Sequence, residues 1–427
     1  MESIAIIGTG IAGMGCGHFL HKHYDLDFYE QNSYIGGHTN TVHVDEEGKR
    51  IPIDTGFIVF NNVTYPNLVR LFRQLKVEVK PTNMSFGVQY LPTGLEYSSQ
   101  DLFAQKRNFF NIGYWHMLLQ IQRFYREAEE VMTDDKFEFY SVHDYIKEKG
   151  YGDRFLYQYI VPMTSALWST PTDITLKYPA RALVQFFKNH GLLGINTQFQ
   201  WYTVHNGSWQ YRDKLIAPFR EKIQTGVAVT SVVRDGYKAT VVTSTGEVKS
   251  YDKVIFACHA DQAMRLLKDA NEWERALLKP FEYQKNIATL HTDEAVMPRL
   301  RSTWSAWNYR VEKVGRELTT TTIYDMNCLQ QVSSKKNYFV SINDPGVVDE
   351  SQVIRRIEYE HPIFTPETAR AQKFLPELNR NGVTFFCGSY FRFGFHEDAF
   401  TSALNCCTQL LGRGAWKEEN PVALAFS

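Results

Sequence analysis

The stretch that decides the fold is Ile4-Ala5-Ile6-Ile7-Gly8-Thr9-Gly10-Ile11-Ala12-Gly13, close to the start of the chain. Its apolar first half predicts a buried parallel strand, and its three glycines predict a tight turn. The residues up to His23 predict a helix, and residues 25–29 predict a second strand that leads into Glu30. Strand, glycine turn, helix, strand and acid, in this order and spacing, indicate a dinucleotide-binding unit.

Each residue type in this unit has a separate task. The first glycine permits the tight turn, the second lets a pyrophosphate approach the backbone, and the third lets the helix pack closely on the strand. The first amides of the helix meet the phosphate charge, and the acid accepts hydrogen bonds from the ribose hydroxyls. The predicted cofactor-binding residues are therefore Gly8, Gly10, Ile11, Ala12, Gly13 and Glu30.

The composition is that of an ordinary globular protein. Of 427 residues, 44% are hydrophobic and 22% are charged, which excludes a disordered chain. The 46 basic and 47 acidic side chains give a formal net charge of -1. This balance gives no argument for nucleic acid as a partner, and we expect none.

Cellular location and metal content are constrained only weakly by the sequence. No apolar run reaches the roughly 18 residues that a membrane-spanning helix needs, and the first residues do not resemble an export signal. We therefore expect a cytoplasmic protein with six reduced cysteines. His18, His21 and His23 have a spacing found in metal sites, but no acid or thiol stands beside them, so we predict no metal.

A second glycine turn directly follows the acid. Gly36-Gly37-His38-Thr39 lies within residues 33–41, and Asp54-Thr55-Gly56-Phe57 comes shortly afterwards. A double glycine offers a second place where backbone can lie against a ligand. This order resembles the flavin-dependent amine oxidase superfamily, which includes phytoene desaturases and protoporphyrinogen oxidases. That family has an acid, a Gly-Gly-Arg-x-x-Thr turn, and then Asp-x-Gly beside the flavin. The resemblance adds the cofactor-binding candidates Gly36, Gly37, His38, Thr39, Asp54, Gly56 and Phe57.

The sequence departs from the family pattern in the second turn. His38 stands where the family commonly has arginine. The positive charge offered to the pyrophosphate is therefore weaker, and it is absent if the imidazole is unprotonated. The alternative interpretation is a plain glycine-rich hairpin turn.

The far end of the chain carries a matching segment. Residues 382–388 predict a buried strand, and a helix is predicted from residue 394 to about residue 411. The same superfamily closes its flavin site with such a strand and with a helix whose N-terminus faces the ring, stabilising the charge that gathers there on reduction. The sequence departs from the family at Ser389, where an acid is usual, and at Ala403, where glycine is common. The resemblance implies the candidates Gly388, Glu397, Asp398 and Ala399.

The resemblance also implies the domain organisation. In this family, backbone at the position of Val229 holds the adenine, and residues 253–261 look like the strand that returns to the cofactor domain. We expect an α/β fold, with a Rossmann-like FAD/NAD(P)-binding domain and an interleaved α+β substrate domain. Residues 1–80, 205–270 and 380–427 would form the first, and residues 81–204 and 271–379 the second.

A narrower resemblance bears on the substrate. Residues 54–61, 65–67, 290–293 and 304–309 look like a group of predicted flavin oxidoreductases. Their genes often stand beside, or are fused to, genes for cyclopropane fatty acid synthase-like methyltransferases. The resemblance implies a lipid-like substrate, such as an acyl chain, and a lipid methyltransferase as a partner.

Three functions therefore remain open. The first is an FAD oxidoreductase that removes a hydride from a C–H bond of a lipid-like substrate, with FAD bound non-covalently because Cys387 lies within the predicted strand. The second is an amine oxidase acting on a small or polyamine substrate, and the third is a non-catalytic flavin-binding partner of a methyltransferase. Superfamily amine oxidases often place a lysine near the flavin N5 atom. Lys285 is the catalytic candidate here, although the register could equally place Asn286 there.

Residues 102–132 predict one or two helices in which basic residues stand beside aromatic ones. Such a segment can lie on an anionic membrane surface, which would place the protein at the inner membrane face. The alternative is a helix facing the core, with cations that reach out to solvent.

Overall fold

The computed structural model describes residues 1–168, 170–195, 197–314, 317–380 and 382–416. Its strands are β1 (Ser3–Ile7), β2 (Asp25–Glu30), β3 (Thr41–Glu46), β4 (Lys49–Asp54), β5 (Phe60–Asn61), β6 (Val79–Thr82), β7 (Phe86–Tyr90), β8 (Leu95–Ser98), β9 (Trp201–Val204), β10 (Ile223–Thr225), β11 (Val229–Arg234), β12 (Ala239–Thr243), β13 (Val248–Tyr251), β14 (Lys253–Phe256), β15 (Glu282–His291), β16 (Trp307–Val314), β17 (Glu317–Asp325), β18 (Phe339–Ile342), β19 (Val353–Ile363) and β20 (Thr384–Phe386).

The α-helices are α1 (Ile11–Leu20), α2 (Pro66–Gln74), α3 (Ile112–Glu127), α4 (Glu130–Thr133), α5 (Val142–Glu148), α6 (Asp153–Phe155), α7 (Val161–Trp168), α8 (Thr172–Lys177), α9 (Ala180–Asn189), α10 (Trp209–Ile216), α11 (Ala260–Leu266), α12 (Glu272–Leu278), α13 (Met326–Gln330), α14 (Pro366–Gln372) and α15 (His396–Leu411). A short 3-10 helix, Lys106–Phe110, precedes α3.

A five-stranded parallel sheet in the order β10-β2-β1-β14-β20 carries the glycine turn. Its strand β1 is buried on both faces. Ile4 and Ile6 belong to the core formed with α1 and α15, whereas Ala5 and Ile7 belong to the core formed with α11 and the sheet β11-β12-β13. Burial on both faces explains why this strand is a continuous apolar run.

The second large sheet has seven strands in the order β19-β15-β18-β17-β16-β7-β8, and only β16 and β7 among these neighbours are parallel. The helices α3 to α9 pack into a separate core beside β7 and β8. A parallel sheet with helices and a separate mixed sheet confirm the predicted fold class.

Each of the two large sheets takes its strands from a separate set of chain segments. All five strands of the parallel sheet come from residues 1–80, 205–270 and 380–427, and all seven strands of the mixed sheet come from residues 81–204 and 271–379. A small sheet, β5-β9-β6, crosses these bounds, because β9 pairs with both β5 and β6. The domain boundaries themselves stay a prediction.

Local differences from the predicted elements have local causes. Residues 223–234 form two strands, β10 and β11, because Gly226 turns the chain between them with φ +71°. Helix α1 ends at Leu20 rather than His23, and residues 102–132 hold a 3-10 helix followed by α3 and the start of α4.

Within the described ranges, no helix has both the length and the apolar character needed to cross a bilayer. The same ranges contain no group of three or more His, Cys, Asp or Glu side chains placed to hold a metal ion.

Candidate functional site

A cavity of about 800 Å³ lies between the two large sheets. This volume is at the upper end of the range for small-molecule sites. Its floor comes from the carboxyl ends of the parallel strands, where Gly8 follows β1, Glu30 ends β2, Ala257 follows β14 and Gly388 follows β20. Ligands of open α/β sheets bind at this edge. Its other wall comes from β15, β16, β17 and β19 of the mixed sheet.

The three glycines of the first turn differ in what surrounds them. A Cβ added at Gly13 would lie 2.0 Å from the carbonyl oxygen of Gly8, so only glycine lets α1 approach the turn. Gly8 has φ +101°, and a Cβ there would lie 2.7 Å from the carbonyl oxygen of Ala257. A Cβ at Gly10 would meet no atom within 4 Å, because Gly10 faces the cavity.

The start of α1 is open to the same cavity. Gly10 is the N-cap, no side chain caps the helix, and its first turn has no acid. Ile11 and Ala12 line the cavity. Uncapped amides and the positive end of the helix dipole form an anion site. The glycine cradle and this helix end therefore fit the pyrophosphate of a dinucleotide.

Glu30 lines the cavity and also holds the first turn in place. One carboxylate oxygen accepts from the Thr9 amide at 3.0 Å and from the Thr9 hydroxyl at 2.6 Å, and the other accepts from the Asn32 amide at 2.9 Å. An ionised carboxylate has about four acceptor positions, so one remains for a ribose hydroxyl.

The second glycine turn lies against the first. Gly37 has φ +57°, and a Cβ there would lie 3.3 Å from Cα of Gly10. Gly56 packs on the same turn, since a Cβ there would lie 2.3 Å from the carbonyl oxygen of His38. The amide of Phe57 donates to that same oxygen at 2.8 Å. The two motifs that are separate in sequence thus form one surface of the cavity.

His38 is held between aromatic rings. Its imidazole stacks on Tyr359 with centroids 4.7 Å apart and lies edge-on to His361 at 5.1 Å. Burial, followed by the neighbouring His361, lowers the pKa of His38 well below its usual value. Its Nε2 atom is buried and has no hydrogen-bond partner among the residues that the structure describes. His38 therefore gives the cavity a neutral polar atom where the family's arginine would give a charge.

Not every predicted cofactor-binding residue reaches the cavity. The residues that line it are Gly8, Gly10, Ile11, Ala12, Glu30, Gly37, His38, Gly56, Phe57, Val229, Gly388 and Ala399. Outside its lining are Gly13, Gly36, Thr39, Asp54, Glu397 and Asp398. A direct contact of these six with a cofactor stays a prediction.

The acids among these six have structural partners. Asp54 accepts from the amide of Ser208 and from the side chains of Ser208, Thr41 and Gln330, and burial raises its pKa. Asp398 accepts from the Phe395 amide at 3.0 Å, and burial raises its pKa to about 7. These carboxylates are therefore occupied within the protein.

The remaining members are fixed in similar ways. Glu397 caps the start of α2, because it accepts from the amides of Asn67 at 3.0 Å and Leu68 at 2.9 Å. The Thr39 hydroxyl hydrogen-bonds to Tyr211 and, at 3.1 Å, to His396 Nε2. A Cβ at Gly36 would lie 2.5 Å from the Thr39 carbonyl oxygen. They stabilise the site from outside the cavity lining.

Besides His38 and His190, three histidines to which no sequence motif pointed line the cavity. His396 stacks on Phe57 at 4.0 Å, and burial lowers its pKa to about 3. Burial likewise lowers the pKa of His361 to about 4, and its Nδ1 lies 2.6 Å from Nδ2 of Asn286. His259 stacks on Tyr283 at 4.1 Å. Because these histidines come from distant segments, no spacing in the sequence could have revealed them.

The catalytic candidate Lys285 lies in β15, opposite Glu360 in β19. Its side chain lines the cavity but is exposed to solvent. Asn286 points to the other face of the strand, is buried, and contacts His361. The structure therefore keeps both residues near the site and leaves their roles as predictions.

One wall of the cavity has no ionised side chain. Among the described residues of segment 84–201, the lining has no Asp, Glu, Lys or Arg. Burial lowers the pKa of its histidine to about 4, so that ring is neutral near pH 7. This uncharged wall consists of Met84, Ser85, Phe86, Met163, Leu167, Trp168, Phe186, His190, Leu192, Gln198 and Trp201.

The glycine cradle, the uncapped α1 and the cavity between two sheets define a dinucleotide-dependent protein of two interleaved sheets. The family model described as flavin containing amine oxidoreductase matches residues 11–411. The chain belongs to this family, and it is a flavin-dependent oxidoreductase. The predicted membership of the amine oxidase superfamily is confirmed.

Solved structures share the fold at low sequence identity. Cyclohexylamine oxidase from Brevibacterium oxydans IH-35A is 16% identical with a TM-score of 0.70, and the match covers 96% of this chain and 99% of that chain. Wild-type putrescine oxidase bound to putrescine is 11% identical with a TM-score of 0.69 over the same shares. A CLA-producing fatty acid isomerase from P. acnes is 14% identical with a TM-score of 0.67, covering 94% and 97%. No curated protein matches the sequence.

Proposed function

We propose that the protein binds FAD non-covalently in this cavity and removes a hydride from a C–H bond of a lipid-like substrate, an acyl chain. The observation that carries the proposal is the uncharged wall of residues 84–201. An ammonium group transferred to such a wall would lose its hydration without gaining a counter-charge, whereas a hydrocarbon chain gains from burial.

The residues at the carboxyl edge of the parallel sheet support FAD binding. The amides at the start of α1 would hold the pyrophosphate, with Gly10 allowing its approach, and Glu30 would accept from the ribose. A flavin held there would supply the acceptor for the hydride, and loss of a proton from the neighbouring carbon would complete the two-electron oxidation. The chain's own task is to position that carbon and exclude water, for which Trp168, Phe186 and Trp201 supply rigid apolar surface.

Non-covalent binding is supported by the state of the cysteines. Cys387 lies in the core, with its sulfur 3.7 Å from that of Cys16, and is not part of the cavity lining. Cys258 does line the cavity, but burial raises its pKa to about 12, so it remains a thiol near pH 7. A thiol is a poor nucleophile, and neither residue is suited to attach a flavin.

A second candidate function is oxidation of a small amine or polyamine. It is favoured by the aromatic residues Trp307 and Tyr324 on the cavity wall, and by the activities printed for two neighbours, cyclohexylamine oxidase and putrescine oxidase. The fatty acid isomerase shows that the same fold also serves an acyl chain. A cytoplasmic location and a methyltransferase partner stay predictions.

Anaerobic bleaching of the flavin separates these functions. The holoprotein is mixed in separate cuvettes with detergent-dispersed phospholipids carrying unsaturated or methylated acyl chains, with matched saturated chains, and with cyclohexylamine or putrescine. Bleaching by the first set alone supports the proposal. Bleaching by the amines alone overturns it in favour of the second function, and no bleaching by any compound favours the non-catalytic partner.

A further inference from the structure

Residues 102–119 expose an unusual amount of apolar surface. The 3-10 helix Lys106–Phe110 and the first half of α3 carry large hydrophobic side chains that the described residues leave largely exposed, with Phe110 91% exposed and Ile112 85% exposed. Contiguous exposed apolar surface of this kind marks an interaction site. The docking patch, as we call it, consists of Leu102, Phe109, Phe110, Ile112, Trp115 and Leu119.

Helix α3 has two apolar faces, and only one of them belongs to the core. Tyr114, Met117 and Ile121 are buried in the core formed by helices α3 to α9. Ile112, Trp115 and Leu119 follow the same three- and four-residue spacing on the exposed side. A helix that only faced the core would be polar on that side, so core packing does not explain these residues.

The patch is held in shape by its own contacts. The ring of Phe103 stacks on Phe109 with centroids 4.2 Å apart and lies 5.1 Å from the ring of Trp115. The indole Nε1 of Trp115 donates to the carbonyl oxygen of Phe109 at 2.9 Å. Phe110 and Ile112 project from this ordered base, so their insertion into another phase needs little reorganisation.

The charge around the patch identifies its partner. Residues 102–126 contain Lys106, Arg107, Arg123 and Arg126 and one acid, Asp101, lies just outside them, but Arg123 pairs with Glu127 at 3.0 Å, so the positive charge beside the patch comes chiefly from Lys106 and Arg107. Lys106 and Arg107 are exposed directly before Phe109 and Phe110. Aromatic and aliphatic tips beside cations match the boundary between headgroups and acyl chains of an anionic bilayer.

We propose that the docking patch seats the protein on the surface of an anionic phospholipid bilayer, with Phe110 and Ile112 inserted below the headgroups. A protein that acts on acyl chains would then meet its substrate at the surface where that substrate resides. The advantage of meeting an acyl-chain substrate at the bilayer rests on the proposed function, but membrane binding does not. Binding to the bilayer is measured without turnover, so failure of membrane binding is distinguishable from failure of the proposed activity.

Vesicle co-sedimentation of the full chain tests the proposal. Vesicles of phosphatidylglycerol and phosphatidylcholine are compared with vesicles of phosphatidylcholine alone, at low and high salt. The wild type sediments with the anionic vesicles, and high salt weakens this binding because it screens the cations. The double variant Phe110→Asp/Ile112→Asp binds at least about tenfold more weakly, since two apolar insertions are lost.

A matched control carries the same charges elsewhere. Tyr237 and Val248 are also exposed, at 90% and 64%, but lie away from the patch, at the sheet β11-β12-β13. Val248 begins β13, and Tyr237 lies just before β12. Tyr237→Asp/Val248→Asp keeps vesicle binding, and equal thermal melting of both double variants shows that they are folded. Equal loss in both variants, or no binding by the wild type, overturns the proposal. So does a wild-type dimer that only the patch variant converts to monomer, because the patch would then be a protein interface.

Discussion

The imidazole of His38 stacks on the phenol ring of Tyr359, with the ring centroids 4.7 Å apart and the ring planes 23° apart. This contact joins the second glycine turn, residues 36–39, to β19 of the mixed sheet. It also explains how a histidine can replace the family's arginine without leaving a gap. The replacement removes a fixed positive charge, because burial lowers the pKa of His38 well below its usual value.

The neutral state of His38 predicts a flat pH dependence of cofactor affinity. If His38 carried the charge that binds the pyrophosphate, affinity for FAD would rise as the pH falls through about 6.5, the ordinary value for histidine. We expect no such rise between about pH 6 and 8, and the same flat profile for His38→Gln. Fluorescence titration of the apoprotein with FAD measures this, and a several-fold rise that His38→Gln abolishes would contradict it.

Two glycine substitutions separate folding from binding. Gly13→Ala places a Cβ 2.0 Å from the Gly8 carbonyl oxygen, so we expect it to lower the free energy of unfolding by about 1–3 kcal/mol or more. Gly10→Ala meets no protein atom within 4 Å, and the apoprotein should be as stable as the wild type. Its methyl group nevertheless stands where the pyrophosphate approaches, so affinity for FAD should fall roughly tenfold or more.

Urea unfolding and FAD titration of both variants provide the check. A Gly10→Ala protein with unchanged affinity would mean that the pyrophosphate lies elsewhere.

Glu30→Ala should weaken FAD binding through the lost acceptor for the ribose. Hydrogen bonds to a charged group are worth about 1.5–3 kcal/mol, which corresponds to roughly 10- to 150-fold in affinity. Because Glu30 also accepts from Thr9, Thr9→Val serves as the control that removes only the Thr9 hydroxyl. Calorimetric titration should show a much smaller loss for Thr9→Val, and equal losses would assign the effect to the turn rather than to the ribose.

The buried histidines make the stability of the apoprotein depend on pH. Burial lowers the pKa of His361 to about 4 and that of His396 to about 3, against about 6.5 in the unfolded chain. Between these values the unfolded chain binds protons that the folded chain does not. Each histidine therefore reduces the free energy of unfolding as the pH falls below about 6.5, by up to about 1.4 kcal/mol per pH unit.

Asp398 acts in the opposite sense, because burial raises its pKa to about 7 and the folded chain holds the proton that the unfolded chain releases near pH 4. Its contribution to stability is lost as the pH rises towards 7. Between pH 7 and 5, His361→Asn should make the acid-induced loss shallower, and Asp398→Asn should make it steeper. Urea unfolding at several pH values measures both, and slopes that change in the same direction would refute the assignment.

The catalytic role of Lys285 can be tested against its neighbour. If this lysine acts beside the flavin, Lys285→Met should slow anaerobic flavin reduction by about 10²-fold without changing affinity for FAD. Lys313→Met, an exposed lysine of β16 outside the cavity lining, should have no effect. A normal rate in Lys285→Met together with a slow rate in Asn286→Ala would transfer the role to Asn286.

How far the sequence predicted the site depends on whether each signal is local. The first turn was predictable because its glycines and the start of α1 are contiguous, and the structure places Gly10 and Ile11 in the cavity lining. The direction in which side chains point was not predictable, because it depends on tertiary packing. Glu397 lies in the first turn of α15, where an acid suits any helix start, and it caps α2 instead of lining the cavity. The cluster of His259, His361 and His396 exists only after three distant segments meet, which no spacing encodes.

Identification of the cofactor that the purified protein carries tests FAD binding directly. We predict a yellow protein that releases FAD into solution on heat or acid denaturation and leaves a colourless precipitate, because the glycine cradle and Glu30 fit an ADP half and Cys258, the cysteine of the described cavity lining, stays an unreactive thiol. Mass spectrometry of the released material identifies the cofactor. A colourless protein that cannot be reconstituted with FAD, or one that releases NAD or FMN instead, would contradict the account.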